Sequence, residues 1–428
     1  MRRPLGLALV PALFSCGFLG AQSPLTPKQR QLNTDSFEYI WTTIRDKHWQ
    51  TPPAGIDWRA VHDELRPAIE KAESMGAARA VMNDMVGRLH QTHFGIIPAD
   101  LYSDMDGSHE SSGSNTGLDL RVVGTQALVT KVEFGSSAAA QGVQPGWQIL
   151  KVATTDLEPI ITKLNETYSK STLRDLILHR AILSRLQGKL GESISVEFLD
   201  GANQRKTKTL TQGKPKGTRT QFGNLTPAHV WFESSKVSGN IGYVSFNIFL
   251  DPARLMNLFE EAVKSCQKCD GFIVDLRGNP GGIGGMAMGM AGFFIDKNGE
   301  RLGTLYMKGA TLKFVVNPRL NTFSGPVAIL VDGNSASTSE IFAGGMQDLG
   351  RARIFGSHTA AAALPSVFEI LPNGDGFQYA IANYISEGGN PLEGLGVKPD
   401  VETPITRQAL LEGKDPPLDA AIGWIKAK

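Results

Sequence analysis

Cysteine is scarce in this chain, with three residues in 428, at positions 16, 266 and 269. Cys266 and Cys269 form a C-x-x-C pair, but a zinc site of that type needs a second pair, and none is present. A local disulfide or two inert thiols is the reading that remains. Neither sign of charge prevails: 43 Lys and Arg stand against 42 Asp and Glu, for a formal net charge of +1. No basic stretch is interleaved with aromatics, which argues against nucleic acid as the main partner. Long hydrophobic runs are also missing. The stretch from Leu5 to Leu19 is apolar, yet too short and too broken by Gly and Pro for a good membrane span. With Arg2 and Arg3 ahead of it and Ala21 as a cleavage site, residues 1–21 read as a signal peptide. The mature chain is then exported, periplasmic or extracellular. Cys16 follows Leu13-Phe14-Ser15, a loose lipoprotein box, and lipid anchoring there is the minority reading. No later segment could span a membrane.

What is present is enough apolar material for a sizeable core: 41% hydrophobic and 20% charged residues. The length is that of two to four domains. Residues 33–100 read as helices, with Phe37, Ile40, Trp41 and Ile44, then Val61, Leu65 and Ile69, then Val81, Met85 and Leu89 at helical spacing. Residues 107–116 form a Gly/Ser-rich linker. Then GLDLRVV, ALVTKVEF and SISVEFLD read as strands, with a short helix near 136–146 and a longer one over 172–186. From about 220 the chain alternates strand and helix: IGYVSF, then 252–264, GFIVDL, 283–294, VAILVD and 338–347. That alternation predicts an α/β layer with parallel strands.

Three places carry chemistry. In GFIVDLRGNPGGIGG, residues 271–285, a buried strand runs into five glycines, more than a turn needs; backbone N–H groups there could form half of an oxyanion hole. Gly282 to Ala287 also matches GxGxxA, a weak nucleotide-binding pattern with no ribose-binding acid at the right distance. In GRLHQTHFGIIP, residues 87–98, His90 and His93 at i and i+3 could share a helix face and bind a metal, but no third ligand is evident. In VDGNSASTSEIFAGGMQD, residues 331–348, serines crowd the handover from strand to helix. Ser337 and Glu340 fit a capping box, and a serine there also suits a nucleophile. Near the C-terminus Glu387 and Glu393 lie in a glycine-rich stretch. Either could orient a histidine, and Glu387 reads better as a solvated loop residue.

The set DLRGNPGG, NSASTSEIFAGGMQDLGRA and LEGLGVKPD closely resembles the S41 peptidases, the C-terminal processing or tail-specific proteases. Gly117-Leu118-Asp119-Leu120 is similar to the carboxylate-binding loop of a PDZ-like domain, and AAQGVQPGWQIL resembles the helix and turn that follow. The resemblance implies an α/β, ClpP/crotonase-like core over 220–428, an inserted PDZ-like β-rich domain over 115–213, and the helical region ahead of both. It makes Ser337 the nucleophile, with an oxyanion hole from Thr338 N–H and that of Gly281 or Gly282. Ala362 stands where one branch has its lysine base, and Ser366 where that branch has a glutamine. TAAAALPS resembles instead the branch of the tricorn core protease, whose set falls on Ser337, His93, Glu393 and Thr92. The resemblance implies protein or peptide substrates, no metal or organic cofactor, and a homo-oligomer as one option. His93, with an ordinary pKa of about 6.5, would give an ascending limb near neutral pH, moved higher by Glu393. The alternatives are an inactive S41-fold binder of peptides or other ligands and a nucleotide-binding α/β enzyme.

Overall fold

The structure, a computed structural model, describes residues 25–99 and 114–428 apart from positions 170 and 226. Residues 1–21, expected to be a signal peptide, with Cys16 among them, and positions 107–113 of the linker lie outside them. No helix among the described residues is long and apolar enough to cross a membrane.

Three helices open the described chain: Pro27–Lys47, Trp58–Glu70 and Met75–Gly87. The first begins at a capping box, in which Thr26 and Gln29 satisfy each other's backbone N–H groups. Phe37, Ile40 and Ile44 on one face pack against Trp58, Val61, Leu65, Met82 and Met85. The cluster also takes in Phe377 and Tyr379 from far along the chain. The reason is a short strand, Gly95–Ile97, that pairs antiparallel with Gly376–Ala380. Arg79 adds an ion pair at 2.8 Å to the fully buried Asp375. The last helix ends at Gly87, so His90 and His93 follow it and do not share a helical face; both have left-handed backbones, with φ of 52° and 61°.

Residues 118–211 build a six-stranded antiparallel sheet: five strands run in the order Leu118–Val123, Gln126–Val132, Gln148–Val152, Ser193–Leu199, Arg205–Thr211, and the short strand Thr155–Asp156 pairs with Gln148–Val152. Helices Leu157–Thr167 and Arg174–Leu186 accompany it. Leu120, Val129, Ile149, Leu178, Ile182 and Phe198 form a core of its own.

The third unit holds a six-stranded sheet in the order Phe232–Val237, Ile241–Phe246, Gly271–Asp275, Val327–Val331, Arg353–Gly356, Val401–Glu402. Its first pair is antiparallel and the other pairings are parallel. The two central strands are buried at every position, as strands covered on both faces must be. The strand period of two divides them. Phe272, Val274, Ile329 and Val331 face the helices Pro252–Ser265, Gly285–Ala291 and Thr338–Asp348. Ile273, Ala328 and Leu330 face Pro416–Lys426. The helix expected over 283–294 is shorter, Gly285–Ala291, and is capped by Gly292, where a Cβ would lie 1.7 Å from Asn317 O. Cys266 and Cys269 are joined as a disulfide.

Candidate active site

Adjacent parallel strands end at Asp275 and Val331, and the turns beyond them meet; open α/β sheets place their sites at such carboxyl ends. Asn279, fully buried, ties the first turn together. Its Nδ2 donates to Phe246 O at 2.9 Å and its Oδ1 accepts from Gly281 N at 3.0 Å. Gly281 has φ of 96°, and a Cβ there would stand 2.7 Å from Thr338 N and 2.8 Å from Ser337 Cβ. The glycines of this turn therefore admit the second turn. Gly282 is tied to the second turn as well: its carbonyl accepts from Thr338 Oγ1 at 2.9 Å.

In the second turn the three serines part company. Ser335 is fully buried, and its hydroxyl donates to Leu276 O at 2.7 Å. Ser339 is fully buried too, donating to Asn279 O at 2.8 Å. Both pin the first turn to the second. Ser337 alone of the three reaches the surface. Its backbone is left-handed, with φ 54° and ψ −117°, at the N-terminus of the helix Thr338–Asp348. Such a conformation in a non-glycine residue persists only where the surroundings hold it. Among the described residues, neither Gly282 N–H nor Thr338 N–H makes a hydrogen bond, whereas Gly281 N–H is taken by Asn279. Of the two glycine options, Gly282 therefore has the available donor.

Thr92 and His93 are brought to Glu393 because the strand Gly95–Ile97 is anchored to Gly376–Ala380. Glu393 holds Thr92 twice: Oε1 accepts from Thr92 N at 3.1 Å and Oε2 from Thr92 Oγ1 at 2.9 Å. The same hydroxyl lies 2.7 Å from His93 Nδ1. Because Thr92 gives its one proton to the carboxylate, it must accept from His93. Nδ1 then carries the imidazole proton, and Nε2 keeps a lone pair free. No hydrogen bond joins His93 to Ser337 among the described residues; contacts of this kind often tighten only with substrate bound.

The expected upward shift of His93 is overturned. Burial, and then the positive charge of Arg180, lower its pKa to about 4. The Glu393 carboxylate cannot offset this, since Thr92 stands between it and the ring. Burial raises the Glu393 carboxyl, against the hydrogen bonds from Thr92, Ala363 and Leu364. Arg180 is a residue that no local pattern marks; it lies on the helix Arg174–Leu186, whose preceding residue Leu173 packs on Ala336, Ala360 and Ala362.

His90 is exposed, and no group of three His, Cys, Asp or Glu residues among those described could hold a metal ion. Glu387 is a partly exposed loop residue that pairs with Arg301 at 2.7 Å. Ala362 is buried, and its carbonyl accepts from Ser337 N at 2.8 Å. Among the described residues, no hydrogen bond or ion pair joins Gly117 to Leu120 with Ser337. Leu118 and Leu120 are buried, and Asp119 Oδ1 accepts from both Leu120 N and Arg121 Nη1 at 2.8 Å. Arg121 Nε reaches Asp332 at 2.6 Å, which fastens this edge of the sheet to the turn before Ser335.

Residues 240–403 match the model of peptidase family S41, and residues 31–87 that of the tricorn protease C1 domain. The α/β core is a peptidase family S41 domain. A carboxyl-terminal-processing protease of Synechocystis sp. is 26% identical over 79% of this chain and 74% of its own length. A CtpA-like serine protease of Staphylococcus aureus is 24% identical over 78% of the chain, which spans 61% of that relative. In fold, the photosystem II D1 C-terminal processing protease matches with a TM-score of 0.57 at 20% identity, over 90% of this chain and 95% of that one. Through this domain the chain is a serine-type peptidase.

Proposed function

We propose that the chain is an exported serine endopeptidase of protein or peptide substrates with a histidine base. Ser337 Oγ attacks the scissile carbonyl while His93 Nε2 takes its proton and later gives it to the leaving amine. Thr92 and Glu393 hold the imidazole in the tautomer this requires. The N–H groups of Gly282 and Thr338 stabilise the oxyanion, a contribution of roughly 3 kcal/mol each in comparable sites. The observation that carries the reading is the division of labour in Ser335-Ala336-Ser337-Thr338-Ser339: two hydroxyls are buried and spent on carbonyls, and the third is presented on a left-handed backbone.

The sheet of residues 118–211 is read as a PDZ-like module that lays the substrate's C-terminal segment along its edge strand Leu118–Val123. The loop that starts this strand is Gly117 to Leu120. Capture of a free carboxylate there has to displace Asp119 from Leu120 N.

The test is a serine-directed phosphonate applied to the mature protein, with the modified residue mapped. Label on Ser337, lost in Ser337→Ala together with peptide cleavage, supports the reading. Label on Ser339, or cleavage by a folded Ser337→Ala variant, refutes it. The absent Ser337–His93 hydrogen bond favours the rival, an S41-fold binder without activity. A wild-type protein that binds peptides yet neither cleaves them nor takes up label would establish that rival.

A further inference from the structure

Glu340 is fully buried, and the proposed mechanism leaves it unused. Its carboxylate accepts four hydrogen bonds. Oε1 takes Thr359 Oγ1 at 2.6 Å and Ala361 N at 2.8 Å; Oε2 takes Ser337 N at 2.9 Å and Ala362 N at 3.0 Å. A helix cap needs only the bond to Ser337 N. The other three go to one strap of chain, residues 359–362, whose next two residues bond to Glu393. Ala363 N donates to Glu393 Oε2 at 3.0 Å, and Leu364 N also bonds to that carboxylate. Four consecutive amides, 361 to 364, are thus divided between two carboxylates, the fully buried Glu340 and the half-buried Glu393. One carboxylate holds the backbone of Ser337, and the other holds Thr92 beside His93. The division requires a sharp bend, and Ala361 supplies it with a left-handed φ of 56°. The strap also touches the serine directly, since Ser337 N is shared between Glu340 and Ala362 O.

We propose that Glu340 is a positioning residue of the peptidase: with Glu393 it grips the strap 359–364 and so sets the position of Ser337 relative to His93. The inference rests on the assignment of Ser337 and His93 above. A carboxylate suits the role because all four surrounding groups donate. In Glu340→Gln one oxygen becomes a donor and must face donors, so two of the four bonds are lost and the strap moves. Burial, against those four bonds, raises the Glu340 carboxyl to about 7. The grip therefore loosens as pH falls through neutrality, when a protonated carboxyl can no longer accept from every side. The titratable groups around it are His358 at the start of the strap, Glu393 at its end and His93 beyond Thr92; no charged side chain bonds to Glu340 among the described residues.

The experiment measures phosphonate inactivation of Ser337 and peptide kcat and KM, from pH ~5 to ~9, on the full mature chain. Glu340→Gln is expected to lower kcat and the inactivation rate by about 10²-fold, the cost of a misplacement near 1 Å. KM should stay within about threefold. The ascending limb near pH 7 should vanish with the carboxyl. Wild-type rates and an unchanged limb would overturn the proposal. In Thr359→Val, which keeps the carboxylate but removes one donor, the limb should move up by roughly half a unit to one unit. That variant decides the matter if Glu340→Gln does not fold, and an unmoved limb counts against the grip. Combining Glu340→Gln with Glu393→Gln should cost less than the product of the single losses, as for residues acting on one element; full multiplicativity would refute the shared strap. No label on wild-type Ser337 would remove the nucleophile and this inference together. Equal labelling of wild type and Glu340→Gln would remove this inference alone.

Discussion

Replacing Thr92 by Val isolates one hydroxyl. The side chain keeps its shape, and Thr92 N still donates to Glu393 Oε1 at 3.1 Å, so the segment stays anchored. What disappears is the bridge: 2.7 Å to His93 Nδ1 on one side and 2.9 Å to Glu393 Oε2 on the other. His93 then has no acceptor for its Nδ1 proton, and nothing fixes the tautomer that leaves Nε2 bare. A lost hydrogen bond with a charged partner costs about 1.5–3 kcal/mol. If that is felt in the transition state, kcat falls by about 10- to 150-fold. The hydroxyl is fully engaged between His93 and Glu393, so KM should change little. The assay is steady-state cleavage of a fluorogenic peptide, with thermal unfolding to show that the fold persists. Thr92→Ser restores the hydroxyl and should recover most of the rate. The reasoning fails if Thr92→Val keeps wild-type kcat while folded, or if Thr92→Ser is as slow as Thr92→Val.

The His93 ring should titrate in an NMR experiment near its lowered value of about 4, and Arg180→Met should move the midpoint up by removing a repelling charge. Because the folded pKa lies below the unfolded value of about 6.5, this group's contribution to stability is complete above about 6.5 and is lost as pH falls through about 4; a wild-type midpoint at or above 6.5 would contradict the burial. Ser335→Ala and Ser339→Ala should each lower unfolding stability by about 1–3 kcal/mol in denaturant titration, while phosphonate still labels Ser337. If the sheet over 118–211 captures carboxylates, peptides ending in a free acid should bind more tightly than their amides by calorimetry; equal affinity leaves it a structural unit.

Much of the architecture can be read locally. The helical spacing of Phe37, Ile40 and Ile44, the unbroken apolar runs at 271–275 and 327–331, and the glycine cluster after Asp275 each depend on near neighbours. The string NSASTSE likewise places hydroxyls at a helix start. Local pattern does not say which hydroxyl faces water. Ser335 and Ser339 are withdrawn because Leu276 and Asn279, about sixty residues away, present carbonyls to them. Nor does it say which glycine N–H is free, since that turns on where the Asn279 side chain points. The base is the farthest from local reading. Thr92 and Glu393 are 301 positions apart, joined because a three-residue strand at 95–97 pairs with 376–378. The expectation that Glu393 would raise the His93 pKa failed for the same reason. Residue types foretell the sign of a direct charge–charge contact, whereas burial, an interposed hydroxyl and the approach of Arg180 exist only once the chain has folded. The sequence by itself determined the elements, the family pattern and the candidate groups. The tertiary structure decided exposure, proton placement and the two carboxylates that share one strap, because each depends on distances between segments that sequence proximity does not constrain.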